Sequence, residues 1–176
     1  MLMFCLSIFG LVARASASTS AADSPRLMHR EHSFRIRLNG SVAEVTALFG
    51  PVREAEWSPE WRPQFIHPLP GAQLEGAVFT TGNDDQLRIW MLNKFDVDAG
   101  RVEYAVVTPG LTANQIKIAV VADGDGRSKA TITYRHTALT LEGNEQVEKL
   151  DERWAEEQRS HWEIAINQAL RDGVKN

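Results

Sequence analysis

The C-terminal segment 143–174 has the periodicity of one long amphipathic helix, and it follows a series of strand-like segments. At about 100° per residue, Asp151, Gln158 and His161 fall inside the apolar face of this helix. A helix over a plain core is expected to carry leucine or alanine there, whereas a helix that closes a cavity can carry polar groups that a ligand or trapped water satisfies. The pattern therefore predicts binding beneath this helix and indicates no particular reaction. The apolar residues of the face are Val147, Leu150, Trp154, Trp162, Ala165 and Ala169.

The composition is that of one globular domain with an ordinary core. The chain has 176 residues, of which 43% are apolar and 24% are charged. A net charge of −4 without a basic cluster argues against nucleic acid as the main partner. The five tryptophans are many for this length, and because a buried indole N–H needs an acceptor, they indicate either pocket walls or ordinary core.

The N-terminal segment resembles a secretory signal peptide. An apolar run at 4–13 leads to the small-residue pattern at 15–17, although no lysine or arginine precedes the run. We therefore expect a signal peptide over 1–17, a flexible linker over 18–30 and a single ligand-binding domain over 31–174 of a periplasmic or secreted protein. The alternative is a start at Met28, which gives a cytoplasmic protein. Cys5 is the only cysteine and leaves with the signal peptide, so no disulfide is expected.

Local patterns predict the order of the other elements. Residues 32–38 alternate as in a half-buried strand, and Ser41 with Glu44 forms a capping box for a short helix. A second helical turn is predicted at 52–55, and the loop 57–63 carries Trp57 and Trp61 beside two prolines. Turns rich in Asp, Asn and Gly separate six more predicted strands, at 65–68, 77–81, 87–97, 102–108, 115–122 and 129–139.

This order predicts an α+β fold: a curved antiparallel sheet of about seven strands, two short helices after the first strand, and a long C-terminal helix over the sheet from about 144 to 172. Tyr134 and His136 share the more apolar side of the last strand, so we expect them to face that helix. In the strand 87–97, the set that includes Met91 and Phe95 is the better inward face. Trp90 then points outward and packs beneath the short helices.

Several short motifs accompany this order: His32-Ser33-Phe34, Leu48-Phe49-Gly50-Pro51, Trp57-x-x-x-Trp61, Gly76-x-Val78-Phe79, Trp90, the strand end 134–139 and Trp162 in the last helix. With them, the chain resembles the START and birch-pollen-allergen superfamily, also called SRPBCC or polyketide cyclase/dehydrase-like, over roughly 32–173. The resemblance implies a helix-grip fold with a deep, mainly apolar cavity between sheet and long helix. Members bind lipids, sterols, polyketides or plant metabolites, and a minority catalyse cyclisation or dehydration. The resemblance implies no universal catalytic motif, so it does not by itself make the chain an enzyme.

The sequence contains no recognised catalytic or metal-binding motif, so no catalytic residue, metal or cofactor is assigned. His29 and His32, at the entry to the domain, are expected to be exposed, and His67 is expected at a cavity mouth. His136 is either a cavity residue or a hydrogen-bonded structural histidine. The residues predicted to bind the ligand are Trp57, Trp61, His67, Phe79, Tyr134, His136, Trp154, Gln158, His161 and Trp162.

The sequence leaves three hypotheses open. The first is a non-enzymatic carrier or sensor of a hydrophobic small molecule, such as a lipid or polyketide-like compound. The second is a cyclase or dehydratase with His136, His161 and Tyr134 as candidate general acids and bases, because histidine titrates near neutral pH. The third is an interaction module whose loop 57–63 docks on a membrane or a protein. Within the first two, Gln158 and His161 either line the cavity or contact the sheet backbone.

Overall fold

Seven antiparallel strands form one sheet in the computed structural model, which describes residues 26–173 without the side chain of Asp85. The strands are β1 (His29–Leu38), β2 (Gln64–His67), β3 (Val78–Thr81), β4 (Arg88–Asp96), β5 (Arg101–Thr108), β6 (Thr112–Ala122) and β7 (Ser128–Ala138). They lie in the order β1-β7-β6-β5-β4-β3-β2, so β2 to β7 form a meander and β1 pairs with β7. The predicted signal peptide lies outside the described residues, and β1 begins inside the predicted linker.

The helices match the predicted order. The first, α1 (Val42–Leu48), has Ser41 as its N-cap, and the predicted capping box with Glu44 is present. A 3-10 helix (Arg53–Glu56) follows, and α2 (Leu141–Lys149) and α3 (Glu152–Gly173) come after the sheet. Within residues 26–173, no helix combines the length and hydrophobicity needed to cross a bilayer. The predicted helix-grip arrangement of sheet and long helix is therefore confirmed.

The C-terminal segment contains a break that the sequence analysis did not predict. Leu150 leaves the helical conformation with φ −87° and ψ 71°, and Asp151 Oδ1 accepts the backbone N–H of Trp154 at 2.9 Å, capping α3. The break frees the carbonyl oxygen of Leu150, which accepts a hydrogen bond from His32 Nε2 at 2.6 Å. The prediction that His32 is exposed was therefore wrong, since this bond holds it buried beneath Trp154.

Helix α3 packs along the outer edge of the sheet, against β1. Ile166, on the inward side of α3, is fully buried. On the side facing the edge, Glu163 Oε2 accepts the N–H of Arg37 at 3.0 Å. The amide of Asn167 accepts the N–H of Asn39 at 2.8 Å and donates to the carbonyl of Arg37 at 2.9 Å. Contacts to the sheet backbone are thus made by two residues that the sequence analysis had not selected.

The loop 57–63 is folded into the core. Trp57 and Trp61 are both buried, and their indole N–H groups donate to the carbonyl oxygens of Leu48 and Pro51, each at 2.7 Å. Both acceptors lie at or just after the end of α1, where backbone carbonyls lack helical partners. The indoles therefore hold the loop against the end of α1, and Trp61 also contacts Phe79 and Trp90 of the sheet. The loop is not the exposed docking loop of the third hypothesis.

The inward face of β4 is the opposite of the predicted one over its first half. Trp90 and Leu92 are buried, whereas Met91 is 45% exposed. The pairing with β5 shifts after Leu92, leaving Asn93 as an unpaired extra residue, and Phe95 then packs against the core. A β-bulge of this kind reverses the alternation of inward and outward side chains. A single alternating pattern along the strand therefore could not predict which side chains of β4 face inward.

Candidate functional site

A cavity of about 590 Å³ opens between the sheet and the break that separates α2 from α3. Residues of β4 to β7 line one side, and residues of α2, α3 and the break line the other. Gly143 allows α2 to approach the sheet closely, because a side chain at this position would clash with the carbonyl oxygen of Leu111. The volume falls within the range of about 300–1,000 Å³ that is typical of small-molecule sites.

The lining is mixed in character. Six of the fifteen lining residues are apolar or aromatic, and the remaining nine are polar or charged, which differs from the mainly apolar cavity that the resemblance implied. The cavity therefore combines an apolar wall with several polar side chains that can orient a ligand. The apolar and aromatic residues are Trp90, Val106, Ile116, Tyr134, Leu150 and Trp154.

His136 is a buried polar group of the cavity. It is 6% exposed, stacks on Tyr134 with ring centroids 5.5 Å apart, and meets Trp154 edge-on at 5.3 Å. Burial, with smaller contributions from the charges of His32 and His29, lowers the pKa of His136 to about 4. The ring is therefore neutral near pH 7, with one donor and one acceptor nitrogen.

A short chain of hydrogen bonds determines which nitrogen of His136 is the acceptor. Asn114 Nδ2 donates to Thr112 Oγ1 at 3.1 Å, so its Oδ1 faces His136 Nδ1 at 3.3 Å. Because an amide oxygen only accepts, Nδ1 carries the proton and Nε2 has a free lone pair. Nε2 is buried and has no hydrogen-bond partner among the described residues. A hydroxyl or N–H group of a bound molecule can supply the missing donor.

The rim of the cavity carries two cations, Arg88 from β4 and Lys149 from the end of α2. Both are exposed, together with Gln86 and Gln146. The sequence analysis did not select either cation. Arg88 belongs to the same alternating set as Trp90, which was expected to point outward. Only the tertiary fold brings Arg88 and Lys149 to the same cavity.

The predicted ligand-binding residues fall into three groups. Tyr134, His136, Trp154 and Gln158 line the cavity. A second group packs in the hydrophobic core and is not part of the lining: Trp57, Trp61, Phe79 and Trp162. His67 and His161 are exposed and do not line the cavity.

Gln158 and His161 differ although both were placed on the apolar face of the helix. Gln158 is half-buried at the cavity, and its side chain makes no hydrogen bond to another described residue. His161 is exposed because Trp162, the next residue, turns inward and one step along a helix rotates a side chain by about 100°. The three acid/base candidates of the second hypothesis are thus not assembled at one point.

A further ionisable group, Glu54, was not selected from the sequence. It lies half-buried in the 3-10 helix, and loss of hydration raises its pKa to about 8. Burial also raises the pKa values of Tyr104 and Tyr134 well above the usual value, and the charge of Glu54 adds to both effects. Only the tertiary structure reveals this group, because an acidic residue in a short helix ordinarily points to solvent.

No group of three or more His, Cys, Asp or Glu side chains within residues 26–173 is arranged to hold a metal ion.

No protein-family profile matches the sequence, and no curated protein matches it. Solved structures do match. Norcoclaurine synthase from Thalictrum flavum, in complex with dopamine and hydroxybenzaldehyde, is 11% identical with a TM-score of 0.61, over 95% of this chain and 98% of that chain. A START superfamily protein from Mycobacterium smegmatis is 12% identical with a TM-score of 0.59, over 82% and 99%. Ara h 8.0201 is 13% identical with a TM-score of 0.55, over 82% and 99%. These likenesses show an SRPBCC or Bet v 1-like fold, as the resemblance implied.

Proposed function

We propose that the protein binds a hydrophobic small molecule, such as a lipid or polyketide-like compound, in the cavity between the sheet and the helices α2 and α3. The observation that carries the proposal is the cavity itself: it measures about 590 Å³, six of its fifteen lining residues are aromatic or aliphatic, and it holds a buried acceptor on His136 that no described residue satisfies. The fold supports the proposal, because one neighbour, norcoclaurine synthase, is known in complex with dopamine and hydroxybenzaldehyde.

The pKa values of the two candidate acid/base groups in the cavity, and the position of the third, favour carriage of a ligand over catalysis. A general acid or base works best with a pKa near the working pH. Burial instead lowers the pKa of His136 to about 4 and raises that of Tyr134 well above its usual value. His161, the third candidate, is exposed outside the cavity.

Native mass spectrometry of the purified full chain tests the proposal. We expect the wild-type protein to retain one small molecule per chain, either co-purified or taken up from a panel of aliphatic and aromatic compounds. Burial of the apolar surface of such a compound in the cavity contributes a favourable free energy of about 25 cal/mol per Å². A protein that retains none of them under any condition contradicts the proposal.

Replacing Gln158 with leucine is expected to leave the protein as stable as the wild type, or slightly more so. Its amide bonds to no other described residue, so the empty protein satisfies it only with water. The ligand preference is expected to shift towards less polar compounds, measured by the same panel. His161→Leu, one turn away and exposed, is the matched control and is expected to change neither property. A melting temperature that falls by many degrees in Gln158→Leu with an unchanged preference would assign Gln158 a structural role instead.

We also propose that the segment 1–17 is removed on export, on the pattern of the apolar run and the small residues at 15–17. N-terminal sequencing of the protein from its natural host is expected to give a mature chain that starts near Ser18. A chain that starts at Met28, or that remains in the cytosol, contradicts this proposal.

A further inference from the structure

Within residues 26–173, the two cations at the cavity rim lack the ion pairs that seven other lysine and arginine side chains form. Lys94, Lys117 and Lys129 each lie within about 3 Å of a carboxylate on the outside of the sheet. Among the described side chains, Arg88 and Lys149 form no ion pair and no hydrogen bond. The cavity thus has two cations without partners at its entrance.

The charge of the cavity is also opposite to that of the protein. The chain carries a net charge of −4, yet none of the described residues that line the cavity is acidic. Arg88 and Lys149 come from different walls, one from the sheet and one from a helix. Both side chains line the same cavity, and a guanidinium is well suited to pairing with a carboxylate.

We infer that the ligand is an amphipathic organic acid, with its carboxylate at the rim between Arg88 and Lys149 and its apolar body against Trp90, Ile116 and Trp154. This inference rests on the proposed function, since it specifies the chemical class of the molecule in the same cavity. The apolar body supplies most of the affinity, and the two cations determine which end faces solvent. An inorganic anion alone lacks the apolar body and is not expected to bind measurably.

Calorimetric titration with a matched pair of ligands, decanoate and decanol, tests the inference at pH 7.5 and low salt. The two have the same alkyl chain, and only decanoate is charged at this pH. We expect the wild-type protein to bind decanoate roughly tenfold more tightly than decanol, the size expected for two partly exposed ion pairs. In 1 M salt, where charges are screened beyond about 3 Å, this preference is expected to shrink. Inorganic phosphate is the control for binding of an anion alone.

Two variants, Arg88→Gln and Lys149→Gln, locate the effect. Each is expected to reduce the affinity for decanoate several-fold and to change the affinity for decanol much less. Arg101→Gln is the matched control, because Arg101 is also exposed but lies outside the cavity lining, at the start of β5. It removes the same charge and is expected to retain the preference for decanoate.

The outcomes separate the two levels of the proposal. Equal binding of decanoate and decanol, or tighter binding of decanol, overturns the inference about the acid and leaves the proposed function standing. A preference for decanoate that survives in both cavity variants, or that is lost equally in Arg101→Gln, also overturns it. Failure of both ligands to bind the wild-type protein also overturns the inference about the acid, and the proposed function is contradicted only if the mass-spectrometry panel finds no bound compound either.

Discussion

Replacing Glu54 with glutamine is expected to raise the free energy of unfolding by about 2 kcal/mol at pH 8.5, and by less at pH 5. The ordinary pKa of the carboxyl is 4.5, and burial raises it to about 8 in the folded chain. Between these values the folded protein holds a proton that the unfolded chain releases, so stability is lost as the pH rises through this window. Glutamine does not titrate in this pH range, so the variant does not lose stability in this way. At about 1.4 kcal/mol per pKa unit, the upper bound is about 5 kcal/mol, and the partial exposure of Glu54 reduces it.

Urea denaturation at a series of pH values measures this effect. His136 contributes the opposite slope, because its folded pKa of about 4 lies below the ordinary 6.5 and stability is lost as the pH falls through that interval. The two contributions oppose each other between about 4.5 and 6.5, so the effect of Glu54 is clearest above pH 6.5. Glu60→Gln removes an exposed carboxylate from the neighbouring loop and is the control. If Glu54→Gln loses as much stability as the wild type between pH 6.5 and 8.5, Glu54 is not the group responsible.

Replacing Trp162 with alanine is expected to lower the free energy of unfolding by about 3–5 kcal/mol, the usual cost of truncating a large aromatic residue in a core. Its indole meets the ring of Trp57 at 5.1 Å, that of Phe49 at 5.9 Å and that of Tyr134 at 6.0 Å. It therefore holds α3 against both α1 and the sheet. Thermal and urea denaturation measure the loss, and ligand binding by the remaining folded protein is expected to persist, because Trp162 does not line the cavity.

Trp154→Ala, two turns earlier on the same helix, is the comparison. Trp154 is half-buried like Trp162 but lines the cavity, where it covers His136 with ring centroids 5.3 Å apart. Its loss is expected to cost about 1–2 kcal/mol, because water gains access to the unpaired Nε2 of His136 and offsets part of the lost packing. The ligand affinity is expected to fall, and the pKa of His136, followed by NMR, to rise towards 6.5. Equal destabilisation by both variants with unchanged ligand binding would contradict this division between core and cavity.

The order of elements could be predicted because its signals are local. Alternating residues mark β1 and β7, the pair Ser41 and Glu44 marks the start of α1, and turns rich in Asp, Asn and Gly separate most of the later strands. Each of these patterns acts within a few residues of the chain. The inward placement of Tyr134 and His136 followed from the same alternation, and the structure confirms it.

The parts that the sequence did not predict depend on contacts between distant segments. The β-bulge at Asn93 reverses the faces of β4, and no residue type marks it in advance. The break at Leu150 is coupled to the hydrogen bond that its carbonyl oxygen accepts from His32, 118 positions earlier. Arg88 and Lys149 share a cavity only because α2 folds back over the sheet. Helical periodicity placed His161 inside because the predicted apolar arc was wider than the face that α3 buries.

The contacts of Glu163 and Asn167 with the edge of β1 have a consequence for how the protein behaves in concentrated solution. An exposed sheet edge is a template on which another chain can add a strand, the first step towards fibrillar aggregation. Asn167 both donates to and accepts from this edge, as the peptide group of an added strand would. At the opposite edge, β2 has only four residues and lies between Pro63 and Pro68. Helix α3, whose first turns line the cavity, therefore also occupies the end of this sheet edge, where the strand of a second copy would otherwise pair.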